Sequence, residues 1–401
     1  MRPKSGLASG RRYEQQITVG TLCFATFLAT GSGIGIAPFL LEIARDLHTD
    51  LAAVGNLVGI LSLSWGTASV VAATASDRLG RKPIMIAGLL LLIASPLGLA
   101  LSDSYGMAAV CRFLGGLGGG AFMGTTYAAV SDLVQPSQRG RALGWIITGQ
   151  SFSLVLGVPL LTFLGSLVGW RGALISHGSV MLIAVLVVWL VVPSVARQRL
   201  ERPLPARAVA RLLGPRVIAL LAASTTERLC YAALGVFLPT YLLTTYGISQ
   251  GELAIGLALV ALGNLGGNVL GGQIADRVPS RPLLFAAAML STAAIALPVF
   301  LWHPGVAISV VLGFVYTLLN AFGRPALLAA LSEVSGEARG TVMGLNITFS
   351  SFGWLGATGL GGTLIATAGF EGLGLFTAAI GLAGAALAVA SWLIASPPTR
   401  A

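Results

Sequence analysis

Glu227 and Arg228 stand side by side in the apolar stretch STTERLCYAALG. Both lie about eleven residues from the nearest polar boundary, roughly 16 Å along a helix at 1.5 Å per residue. An acid and a base at that depth in hydrocarbon are costly, and by default they mark a translocation or proton-relay site. Glu227 is the proton-carrier candidate, because a carboxyl group is far easier to bury neutral than charged; a structural ion pair is the alternative. Successive helical residues do not face each other, so the pair needs other partners, either Arg324 or a polar group in the cavity. Tyr231 shares the Glu227 face at i+4. Asn320 and Arg324 form one polar stripe at i, i+4, and Asn264 and Asn268 form another. These stripes suit either a polar cavity or hydrogen-bond glue between helices. Arg112, in CRFLGGLGGGAFMG, lies one or two turns below the opposite surface and needs either a buried partner or a path to snorkel outward.

Such residues presuppose membrane-spanning elements, and the composition supplies them. Of 401 residues 55% are hydrophobic and 9% charged, with a mean hydropathy of +0.87. Soluble domains carry about 25% charged residues, so most of this surface must face lipid. About twelve apolar runs are long enough to cross a bilayer: 16–40, 51–75, 83–102, 105–131, 141–168, 171–193, 216–243, 251–274, 282–302, 305–331, 340–368 and 371–395. Glycine is abundant, at 53 residues. Pairs such as Gly116/Gly120, Gly120/Gly124, Gly263/Gly267 and Gly267/Gly271 are small-xxx-small patterns that let helix backbones approach closely.

The polar stretch 194–215 divides the chain into 1–193 and 216–401, with six runs in each. SDRLGRKP at 76–83 recurs as ADRVPSRP at 275–282, Arg139-Gly140 as Arg339-Gly340, and GWRG at 169–172 as GFEG at 369–372. The offsets are 199 and 200, half the chain, so the halves are internal repeats. Placing the N-terminus in the cytoplasm puts most of the 24 basic residues on the inner side, as the positive-inside rule requires. The net charge of +10 is therefore a topology signal, and nucleic acid is not an expected partner.

The 76–83 loop resembles the signature loop of the major facilitator superfamily. Asp77, Arg78, Gly80, Arg81 and Lys82 match the pattern, while Ala73 and Ala75 replace its usual glycine and leucine. The second copy keeps Asp276 and Arg277. Arg112 with Gly116 and Gly118 resembles the family's helix-4 motif. Gly157, Pro159 and Gly169-Trp170-Arg171 are similar to the drug and sugar efflux branch, although Val158 separates the glycine from the proline. The resemblance implies an all-α membrane protein with twelve transmembrane helices in two six-helix bundles related by a pseudo-two-fold axis. It implies alternating access, with the 76–83 loop helping to close the cytoplasmic side. It also makes Glu227, Arg228, Arg112, Arg324, Tyr231, Asn264, Asn268 and Asn320 candidates for the translocation path. The loops from Asp132 to Arg141 and from Glu333 to Arg339 are read as gating or anchoring charges.

The expected function is secondary active transport of a small organic solute, with proton-coupled efflux first. Proton-coupled uptake, or a uniporter for an organic anion or a sugar, is the alternative. No cofactor is expected. There is no phosphate-binding glycine-lysine loop, and Lys4 and Lys82 are the only lysines. There is no His-Glu-x-x-His pattern, and His48, His177 and His303 are isolated toward the outer edges. Cys23, Cys111 and Cys230 lie in apolar runs as small core residues. A membrane enzyme would cluster His, Asp or Glu at one membrane face, and a receptor would carry an output domain. The sequence shows neither. The expected protein is a monomer in the plasma (bacterial inner) membrane with both termini cytoplasmic.

Overall fold

A computed structural model describes residues 5–135, 138–193, 213–334 and 339–395. The expected linker at 194–215 lies almost wholly outside the described residues. Among these residues every regular element is helical. The helices are α1 (Ser5–Ile34), α2 (Leu40–Asp46), α3 (Leu51–Leu79), α4 (Arg81–Ile93), α5 (Tyr105–Leu133), α6 (Arg139–Phe152) and α7 (Val158–Val191). They continue with α8 (Pro215–Tyr246), α9 (Gln250–Ala275), α10 (Arg281–Leu301), α11 (Val306–Val334) and α12 (Arg339–Ala395).

Among the described residues ten stretches are long and apolar enough to cross a membrane. Two of them, Arg141–Val191 and Val342–Ile394, run to 51 and 53 residues. At 1.5 Å per residue 51 residues span about 76 Å, more than twice a hydrocarbon core of about 30 Å, so neither is a single crossing. Each is broken at a glycine, Gly169 with φ 73° and Gly369 with φ 66°. Side chains rarely adopt that left-handed backbone, so the repeated glycine is what permits the break. The two breaks divide the two stretches where the sequence reading separates runs five from six and eleven from twelve.

Local signals set the other ends. Ser249 opens α9 as a capping box with Glu252, satisfying two N-terminal donors reciprocally. Ser104 caps α5 by accepting from the Met107 amide, and Gly247 closes α8 in the left-handed conformation. Short π-helical turns at Ala94–Gly98 and Ser153–Gly157 follow α4 and α6.

Contacts group the chain into two compact units. One comprises Met1–Gly35 with Ser64–Glu201, the other Ile36–Leu63 with Arg202–Ala401. The first packs α1 against α6 and α7, and α4 against α5, around Leu22, Leu89, Phe122 and Met181. In the second, α8 packs on α12 and α9 on α11. Short α2 and the first half of α3 belong to this second unit. There Gly55 lies against Phe237, and Gln250 donates to Pro38 O at 3.2 Å and to Glu42 Oε1 at 3.0 Å.

Backbone approach explains the glycine stripes. A Cβ on Gly267 would strike the Leu318 carbonyl oxygen of α11, whereas one on Gly266 meets nothing within 4 Å. Gly267→Ala is therefore expected to cost about 1–3 kcal/mol by overpacking and to lower the thermal midpoint in detergent. Gly266→Ala should leave the midpoint unchanged or raise it. The reverse order would sink this account of the packing.

Candidate translocation site

In the second unit the polar residues of α8 and α11 converge. Glu227 is fully buried. Arg228 Nε donates to Glu227 Oε2 at 2.6 Å, and a second bond joins Arg228 Nη2 to Glu227 Oε1. Arg324 Nη1, from α11, donates to Glu227 Oε2 at 3.2 Å. The expectation that Glu227 needs a partner other than its neighbour was half right. Arg324 does reach it, but Arg228 pairs with it too. Adjacent helical residues point apart at Cβ, yet the arginine stem is long enough to fold back and give a forked contact. The Arg228 guanidinium also lies 4.7 Å from the Tyr231 ring centroid, within cation–π range. Tyr231 meets Trp354 of α12 edge-on, with centroids 5.8 Å apart.

Backbone contacts hold these helices in register. Tyr316 donates its hydroxyl to Cys230 O at 2.8 Å, and Thr225 donates to Phe349 O at 3.0 Å. A Cβ on Gly353 would strike the Thr225 carbonyl oxygen and lie 2.8 Å from Arg228 Cβ. Glycine there is what lets α12 close on the charged turn of α8. Tyr316, Gly353 and Trp354 carried no sequence signal beyond membership of apolar runs.

The asparagines separate into two kinds. Asn268 Nδ2 donates to Asn264 O at 2.9 Å and to Asn264 Oδ1 at 3.2 Å, so this pair bonds along its own helix. Asn320 stands between Tyr316 and Arg324 at four-residue steps. It is fully buried, and neither of its amide atoms has a partner among the described residues.

Arg112 belongs to the first unit. It is fully buried, which rules out snorkelling. Its Nη1 donates to Ser32 O and to Ser95 Oγ, each at 2.8 Å, and its Nη2 to Gly33 O at 2.7 Å. Helix α1 ends at Ile34, so Arg112 caps its last carbonyls with a cation, the favourable sign at a helix C-terminus. His177 is half-buried and lies close to α1. A Cβ on Gly31 would lie 3.1 Å from His177 Cε1 and 3.2 Å from Ser153 Oγ.

Each signature loop has an arginine paired with an acid. Arg81 Nε is 3.0 Å from Asp132 Oδ2, and Arg281 pairs with Glu333 through Nη1. At the loop offset of 199, Arg281 aligns with Lys82 and not with Arg81. Gly80, with φ 99°, supplies the turn that opens α4 at Arg81, whose Nη1 also donates to Ser76 Oγ at 2.6 Å. Arg78, Asp276 and Arg277 are exposed and Lys82 is half-buried, while the Asp77 side chain lies outside the described residues.

A family model described as Major Facilitator Superfamily matches residues 22–358 and, separately, 220–401. The chain belongs to the major facilitator superfamily. The uncharacterized MFS-type transporter YwfA of Bacillus subtilis is 27% identical over 377 residues, 92% of this chain and 90% of its own. A chloramphenicol resistance protein of Streptomyces lividans is 25% identical over 359 residues, 84% and 91% of the two chains. The putative transporter AraJ of Escherichia coli is 26% identical over 272 residues, 67% of each. Two solved structures share the fold. One is an inward-facing bacterial homologue of the lysosomal transporter Spinster, with TM-score 0.71 and 16% identity, covering 95% of both chains. The other is the peptide transporter POT, with TM-score 0.73 and 19% identity, covering 94% of this chain and 98% of that one. This member of the superfamily is thus an all-helical integral membrane protein of a transporter family.

Replacing Arg112 by Met should lower the thermal midpoint, at a cost of about 2–3 kcal/mol, because buried carbonyls lose a charged donor. Asn320→Leu should leave it unchanged or raise it, because no bond among the described residues is lost. A strongly destabilised Asn320→Leu protein would show that the amide is bonded within the fold.

Proposed function

We propose that this superfamily member is a secondary active transporter that moves a small organic solute by alternating access, coupled to protons and running in the export direction. The observation that carries the proposal is the fully buried Glu227 held by Arg228 and Arg324. When Glu227 is ionised, both guanidinium groups are held to it. When it takes a proton, that Coulombic hold is lost and the arginines are freed for another anion or for rearrangement. Such a group couples proton occupancy to the state of its helices. The pattern of Gly157 and Pro159 and the likeness to a chloramphenicol resistance protein support export.

Two guanidinium groups against one carboxylate in this cluster, among the described residues, favour an anionic or zwitterionic solute over a cationic one. That balance also supports the second reading, proton-coupled uptake or uniport of an organic anion. In either reading the Arg81–Asp132 and Arg281–Glu333 pairs are gate contacts that form and break between conformations. The protein sits in the plasma (inner) membrane as a monomer with both termini cytoplasmic.

Flux of a solute panel through everted vesicles, with and without an imposed proton gradient, tests the proposal. Wild-type protein should accumulate solute only while the gradient stands, and Glu227→Gln should lose gradient-driven accumulation at least tenfold. Full gradient-driven transport by Glu227→Gln would remove Glu227 from the proton path. Flux indifferent to collapse of every ion gradient would instead identify a uniporter.

A further inference from the structure

The first unit contains a cavity of about 560 Å³ between the start of α1 and the N-terminal part of α6. That volume lies in the range of small-molecule sites, about 300–1,000 Å³. Its walls include Gln15, Gln16 and Val19 of α1, Gln138 of the connecting segment, and Arg141 and Trp145 of α6. Gln15 donates to Leu133 O at 2.8 Å, which ties α1 to the end of α5 and fixes one wall.

The lining has two characters. Arg141 and Trp145 are four residues apart, so they share one face of α6 and set a guanidinium beside an indole. Among the described lining residues Arg141 carries the one formal charge, and the three glutamines add uncharged hydrogen-bonding groups. Arg141 stands in the first turn of α6, where the helix dipole also favours an anion. Val19 is buried, and Trp145 keeps 53% of its surface exposed. Together they form an apolar wall at the end of a spanning segment, where amphipathic aromatic rings commonly sit.

We propose that this cavity binds an amphipathic anion, with its charged group on Arg141 and its apolar body against Trp145 and Val19. This gives Arg141 a ligand in place of the gating or anchoring role expected from sequence. An acidic phospholipid and a soluble organic anion share the required chemistry.

The test uses the full chain purified in a neutral detergent and measures binding directly, so it does not depend on transport. One arm compares dioleoylphosphatidylglycerol with dioleoylphosphatidylcholine by native mass spectrometry. The other compares 4-phenylbutyrate with its neutral amide by calorimetry. In at least one arm the anion should bind at least tenfold tighter than its partner. Arg141→Gln should abolish that preference, because the charged donor to the anion is lost. Arg141→Lys should keep part of it, and Trp145→Leu should weaken both members of a pair while sparing the preference for charge. A response in the lipid arm alone assigns a headgroup site, and one in the soluble arm alone a site for a dissolved anion. Equal binding of charged and neutral probes in both arms overturns the proposal, as does an undiminished preference in Arg141→Gln. Should Arg141→Gln fail to purify, unchanged binding in both Arg141→Lys and Trp145→Leu overturns it equally.

Discussion

A carboxylate inside a bilayer cannot be left to water, and the second unit is organised around that constraint. Glu227 is completely enclosed, and its charge is met by guanidinium groups from two helices. Removing one partner of such a pair strands a buried charge, typically at a cost of about 3–5 kcal/mol. α8 and α11 are therefore bound to each other by more than apolar contact. Tyr316 reinforces the same pairing from two turns away on α11. Tyr231 then places its ring beside the Arg228 guanidinium, and Trp354 meets that ring edge-on.

Hydrocarbon provides no hydrophobic drive to bring helices together, so close packing must come from shape. Glycine supplies that shape. Gly267 admits the backbone of α11, and Gly353 brings α12 against the charged turn of α8. In the first unit Arg112 solves a related problem. A helix that stops within the protein leaves carbonyls without partners, and this arginine occupies the end of α1. A residue that reads as an isolated charge in the sequence is a cap in the fold.

Duplication appears in the structure as paired devices. Gly169 and Gly369 take the same left-handed conformation and break their helices at equivalent points. Arg81–Asp132 and Arg281–Glu333 are arginine–carboxylate pairs beside the signature loop of each copy, although Arg281 aligns with Lys82 rather than with Arg81. The buried charges are not duplicated. Arg112 serves the first unit and Glu227 with its arginines the second, so the two copies have diverged at the positions that carry charge into the membrane while keeping the loop contacts.

Membrane residence, the approximate spans, the basic loops and the two-fold repeat were legible in the sequence, because each depends on composition or spacing along one dimension. The family was legible for the same reason, since its signature lies in a single short loop. The expected depth of Glu227 and its need for a partner beyond its neighbour followed from counting residues along a helix, with Arg324 as one of two candidates. Which partner each side chain takes was decided only in three dimensions. Arg228 folds back on its neighbour, Asn268 turns to Asn264, and Arg112 finds the carbonyls of α1. Asn320 is enclosed without a bond among the described residues. Those outcomes depend on how far apart distant helices lie and how they are rotated about their axes. Those distances and rotations are set by glycine contacts between segments dozens of residues apart in the chain, and no local pattern encodes them.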